Sequence, residues 1–195
     1  MEISEKKAFD RESFTPDGAR EMKSASKQYY CKPSDNTYNI KFMRYRIRDI
    51  DSGITLVDIK EDEADDKTIN EDDIPEEERL LRYQFGPDFL ELRNIGTLLD
   101  FSVGPKEVKN FVMIEKHYFK EKLLKQYEFD FKFWIPNTEN SWEVIYDLPD
   151  LGAEKKREII SSPWDTKSDT FFFVQNKLVI HTRALYDYSP FDDLS

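Results

Sequence analysis

Apolar and polar side chains alternate through most of this chain. From Tyr38 the run YNIKFMRYRIRDI sets Met43, Tyr45 and Ile47 on one face and Arg44, Arg46 and Arg48 on the other, the period-two pattern of a half-buried strand. Asp51-Ser52-Gly53 supplies turn chemistry and ITLVDI returns, which predicts a β-hairpin. Leu81, Tyr83 and Phe85 alternate up to a Gly86-Pro87 break, LLDFSVG predicts a strand ending at Gly104-Pro105, and NFVMIEKHYF follows as another. After a short helical or irregular piece around Glu121 to Lys125, QYEFDFKFWIP alternates Tyr127, Phe129, Phe131, Phe133 and Ile135 with Glu128, Asp130 and Lys132, a half-buried antiparallel strand. One helix is predicted, roughly Leu151 to Ser161, with Asp150 as N-cap and Pro163 beyond its end. TFFFVQNKLVIHT predicts a hairpin around Gln175 to Lys177, and a last strand passes through Tyr186 and Tyr188. Eight or nine strands, one helix and no βαβ alternation predict an all-β fold, an antiparallel sandwich of immunoglobulin-like kind. The Cys-Trp-Cys signature of antibody domains is missing.

Composition sharpens this picture. The 195 residues suit one domain with appendages. Phe, Trp and Tyr number 28 against 6 Gly, so bulky rings must fill or line something. Of the formal charge of -11, a net of -10 lies between Glu61 and Glu78, where 11 acids accompany one Lys. The rest is close to neutral and holds no basic stripe for phosphates, so no nucleic-acid partner is expected. Residues 1–27 are expected to form a flexible arm, 28–190 the β domain with 61–78 as a solvated acidic loop, and 191–195 a tail. The lone Cys31 is expected to be a small packed residue in a reducing compartment. The start of the chain has no signal-peptide pattern, no run reaches the ~18 apolar residues of a membrane span, and the myristoylation and prenylation signals are absent. A cytoplasmic protein is expected; any lipid it meets belongs to something else.

Two histidines and one cysteine cannot build a Cys/His zinc site, and the common nucleotide and hydrolase motifs are missing. Neither a metal, a cofactor nor an enzymatic activity is therefore expected. The odd feature is MIEKHYF: on one strand face Glu115 and His117 fall among Phe111, Met113 and Phe119. Three readings stand open. The two are a pair satisfied near a strand end, a general acid/base pair, or a polar gate on an apolar pocket. The aromatic residues at period two are likewise either core or the walls of a slot between splayed sheets.

The stretches YNIKFMRYRIRDIDSGITL, LRYQFGPDFLELRNIGTLLDFSVG, VKNFVMIEKHYFKEKLLKQYEFDFKFWIPNTEN and SDTFFFVQNKLVIHTRALYDYS, in that order, resemble one family. It is the family of the delta subunit of rod cyclic-GMP phosphodiesterase, and within it the myristoyl-binding "uncoordinated" lipid-binding chaperones. The resemblance spans about Tyr29 to Tyr188. It implies an apolar lipid slot between the sheets of an immunoglobulin-like sandwich, working as a monomer without inserting stably in membranes. It further implies a carrier of N-myristoylated proteins, such as G-protein alpha subunits or ciliary proteins, serving cilium or flagellum. An Arf-like GTPase in its GTP state would release the cargo. By the same resemblance Tyr45, Tyr83, Phe89, Glu115, His117, Tyr146 and Tyr186 bind the lipid, with Glu115 and His117 near the acyl-glycine end and Phe131 and Phe133 further along the slot. Leu148 and Tyr45 depart from aromatics frequent in the family. A prenyl carrier, and an enzyme on a small apolar substrate using His117 as base, are the alternatives.

Overall fold

The computed structural model describes residues 14–60 and 70–191; the first half of the acidic run, and both ends, lie outside the described residues. Among the described residues eleven strands form two facing sheets and a small ribbon. In the first sheet β1 (Lys41–Asp49) lies between β2 (Thr55–Lys60) and β4 (Asn94–Ser102), and β9 (Glu139–Asp147) completes the order β2-β1-β4-β9, all antiparallel. The second sheet runs β3-β11-β10-β6-β7, from β3 (Leu81–Gln84), β11 (Lys177–Asp187), β10 (Thr166–Val174), β6 (Phe111–Phe119) and β7 (Lys122–Asp130). Only β3 is parallel to its neighbour, β11, so the sandwich is antiparallel but for one edge pair. The ribbon pairs β5 (Val108–Lys109) with β8 (Phe133–Trp134).

Several elements differ from their sequence expectation for identifiable reasons. No helical piece follows Glu121: Lys120 turns the chain with φ 53°, and β7 begins at Lys122. The adjacent Leu123 and Leu124 look helical because a bulge opposite His117 and Tyr118 leaves Leu124 outside the pairing register. The alternation expected through Ile135 stops at Asp130, where Lys132 takes φ 56°. Beyond that break Trp134 is buried and Phe133 is 47% exposed, so parity inverts. The strand β9 was not anticipated, although Trp142, Val144 and Tyr146 alternate along it. The last two expected strands are one continuous β11, entered through left-handed Gln175 and Asn176.

The described part of the supposed arm is packed. Helix α1 (Pro16–Glu21) follows the N-cap Thr15, whose side chain accepts from the Gly18 N–H. Phe14, Ala19 and Cys31 cover Ile114, Phe171, Phe173 and Leu178 on the outer face of the second sheet. Lys116 is fully buried there. Its ammonium donates to the carbonyls of Ala19, Arg20 and Met22 at 2.8, 2.9 and 2.7 Å, meeting groups that end a helix without intrahelical partners. The helix α2 (Gly152–Ile160) starts one residue later than expected, with Asp150 accepting from the Gly152 N–H at 3.2 Å.

Between the sheets one end is solid. Phe111 and Phe101 lie against Trp134 at 4.0 and 4.1 Å between ring centroids, and Phe131 stacks on Trp142 at 4.1 Å. At the other end of β6, Ile159 of α2 packs with Phe119, Tyr186 and Tyr188.

Candidate functional site

The sheets do not close between these ends. A cavity begins under α2 and a rim of half-buried Leu90, Leu92, Leu124, Leu148 and Leu151. Loops build most of this rim, and Leu124 joins it from the bulge in β7. Gly86, at φ 62°, turns the chain out of β3 into the 3₁₀ segment Pro87–Glu91, which brings Phe89 and Leu90 to the opening. A second chamber follows along the strands, walled by Phe42, Leu99, Met113, Trp142, Val144 and Phe172. Tyr45, Thr97, Glu115, Tyr146 and Tyr186 line both chambers and form a waist between them.

The waist is the polar part. Strand parity points Glu115 and His117 inward, opposite Thr170 and Ser168 of β10. His117 Nε2 lies 2.6 Å from Glu115 Oε1, and the Tyr146 hydroxyl reaches across from the first sheet to donate to Glu115 Oε2 at 2.7 Å. With the carboxylate accepting, His117 donates from Nε2; in the tautomer with its single proton there, Nδ1 is an acceptor. The Ser168 and Tyr186 hydroxyls share a 2.9 Å hydrogen bond nearby. Burial, with the Glu115 charge adding to it, holds the Tyr146 and Tyr186 phenols far above their ordinary range and pushes Tyr83 up to about 12. These hydroxyls therefore stay protonated donors around one carboxylate.

Tyr45, Phe89, Glu115, His117, Tyr146 and Tyr186 line the outer chamber, and Tyr83 lines the inner one. Phe131 and Phe133 stand elsewhere: Phe131 is in the aromatic plug and Phe133 projects from the ribbon. Sequence reasoning did not single out Tyr127, which lines the outer chamber and donates to the Asp147 carbonyl at 3.0 Å. Nor did it single out Leu124, Ile159 or Thr166. The bulge that aims Leu124 inward leaves no trace in the residue pattern, whereas Tyr127 continues the alternation of β7. Among the described residues no cluster of His, Cys, Asp and Glu could hold a metal ion, and no helix is long and apolar enough to cross a membrane.

The family model for the GMP-PDE delta subunit matches residues 34–188. Over 181 residues the chain is 44% identical to zebrafish protein unc-119 homolog B, covering 90% of this chain and 74% of that protein. It is 40% identical to human unc-119 homolog B over 192 residues, covering 96% and 76%. With Caenorhabditis elegans unc-119 it shares 37% identity over 185 residues, covering 95% and 84%.

Proposed function

Because the chain belongs to the GMP-PDE delta-subunit family, in its unc-119 branch, we propose that it carries N-myristoylated proteins with the acyl chain held between its sheets. It acts as a lipid-binding carrier rather than an enzyme. The observation that carries the reading is the two-chambered apolar cavity with Glu115, His117 and Tyr146 joined at its waist. Methylenes suit the inner chamber. The amide that joins the acyl group to glycine is costly to bury without partners. At the waist, His117 with its proton on Nε2 offers Nδ1 to the amide N–H, and the Tyr186 hydroxyl, accepting from Ser168, keeps its proton for the carbonyl. A prenylated cysteine brings no amide to that depth and leaves these groups unmatched.

Burying about a dozen methylenes at roughly 0.8 kcal/mol each offers about 10 kcal/mol before ordering costs. A bilayer offers the chain a similar gain, so extraction depends on contacts with the peptide beyond the lipid. Release then requires a ligand that binds a narrower slot better. In this reading the ligand is an Arf-like GTPase in its GTP state, adding to one of the free edges of β2, β9, β3 or β7, and delivery is to the cilium or flagellum.

Fluorescence polarisation of a labelled, myristoylated glycine-starting peptide tests the reading, with a farnesylated peptide beside it and His117→Ala as variant. The expected result is tight binding of the myristoylated peptide alone, weakened by the substitution. Preference for the farnesylated peptide makes this a prenyl carrier, and binding of neither removes the carrier reading.

A further inference from the structure

Thr166 opens β10 on the same inner face as Ser168 and Thr170. It is 3% exposed, and its Oγ1 has no hydrogen-bond partner among the described residues. A valine would fill the same space without stranding a polar atom, so a hydroxyl here asks for a partner that the described residues do not supply. Thr166 also belongs to the wall of the outer chamber, together with Glu115 and His117.

The register shows where along the slot it stands. His117 lies opposite Ser168, and Thr166 lies opposite Phe119, two residues further toward α2 and the leucine rim. An acyl chain threaded inward past the waist leaves its glycine near His117. The next peptide group of the cargo then lies on the rim side of the waist, level with Thr166. A threonine hydroxyl can donate to a peptide carbonyl or accept from a peptide N–H, so it suits either group of that bond. The neighbouring hydroxyl of Ser168 is already engaged with Tyr186 at 2.9 Å.

We propose that Thr166 is a specificity-determining contact for the cargo peptide, hydrogen-bonding the first peptide group after the acylated glycine. This rests on the carrier reading above. It separates two functions along one wall: the waist reads the acyl amide, and Thr166 reads the chain that follows it. Thr166 thereby favours a lipid attached to a peptide N-terminus over a simple fatty amide.

The test uses Thr166→Val and Thr166→Ser with two ligands. One is a labelled N-myristoylated glycine-starting peptide; the other is myristoyl ethylamide, which ends at the acyl amide and is scored by displacement of the labelled peptide. Thr166→Val is expected to weaken the peptide about tenfold, equivalent to about 1.4 kcal/mol, with the ethylamide affinity unchanged. Thr166→Ser keeps the hydroxyl and is expected to retain most of the peptide affinity. Unchanged peptide affinity in Thr166→Val overturns the proposal while leaving the carrier reading intact. An equal loss for both ligands also overturns it, since that marks general damage to the slot. If the wild type binds neither ligand, the carrier reading fails and this proposal fails with it.

Discussion

Glu115 accepts on both carboxylate oxygens, from His117 on its own strand and from Tyr146 on the opposite sheet. The second bond crosses between the sheets, so the polar waist is held by both at once. Tyr146→Phe keeps the ring against Tyr127 and Phe129, at 4.7 and 5.4 Å between centroids, and removes only the donor. A hydrogen bond to a charged group contributes about 1.5–3 kcal/mol, so the variant should lose that much unfolding free energy in urea. An unchanged midpoint with an unchanged slope would show that the cross-slot bond holds nothing together. Strand parity made Glu115 and His117 legible as an inward pair. Their link to Tyr146 was not legible, because it joins residues 31 positions apart in the chain on strands that never pair.

At the scale of elements, β6 and β10 are apolar on both faces, with Ile114, Phe171 and Phe173 outside and Met113 and Phe172 inside. Such a strand needs two covers. The run TFFFV carried that message, but the polar sequence before residue 28 concealed that Phe14, α1 and Cys31 provide the outer cover. Behind the inner face of β10 this cover is fastened by Asp169, which accepts from the Ser26 N–H at 2.8 Å and from the Ser26 hydroxyl at 2.5 Å. His181 Nε2 lies 3.1 Å from Asp169, while its Nδ1 accepts from the Tyr30 N–H at 3.0 Å. The imidazole is therefore neutral, since a proton on Nδ1 would face the Tyr30 N–H. Burial lowers the His181 pKa against the pull of Asp169, and the nearby Arg183 and Arg79 charges lower it further. For Asp169 burial acts upward, but the bonds from His181 and Ser26 outweigh it and its pKa falls.

Both folded-state values lie below the unfolded ones. The contribution of neutral His181 is thus complete above pH ~6.5 and is lost as pH falls below that value; that of Asp169 is lost only below about pH 4. Urea midpoints should fall between pH 7.5 and 5.5 in the wild type. His181→Gln should be weaker at pH 7.5 yet lack most of that fall. A variant with an undiminished fall would assign the pH dependence to other groups.

At the scale of the whole molecule, the predicted sandwich and the observed one agree in class, with aromatic residues both between the sheets and, at Phe14, Phe171 and Phe173, under the outer cover. What patterning could not separate was plug from wall. Phe111, Phe131 and Trp134 close one end, while Phe42, Tyr45 and Tyr146 border space, although all are aromatic residues in or beside strands. The plug forms around the break at Lys132, and the space opens under the rim. The central claim is that an acyl chain lies between the sheets with its head at the waist and its tail in the inner chamber. Photo-crosslinking tests it most directly, using a myristoylated peptide with a diazirine at the far end of its acyl chain and mapping the labelled residues by mass spectrometry. Label is expected on Phe42, Leu99, Met113, Trp142 or Phe172. Label confined to the outer faces of the sheets, or to the exposed Phe133 and Ile135, would contradict it.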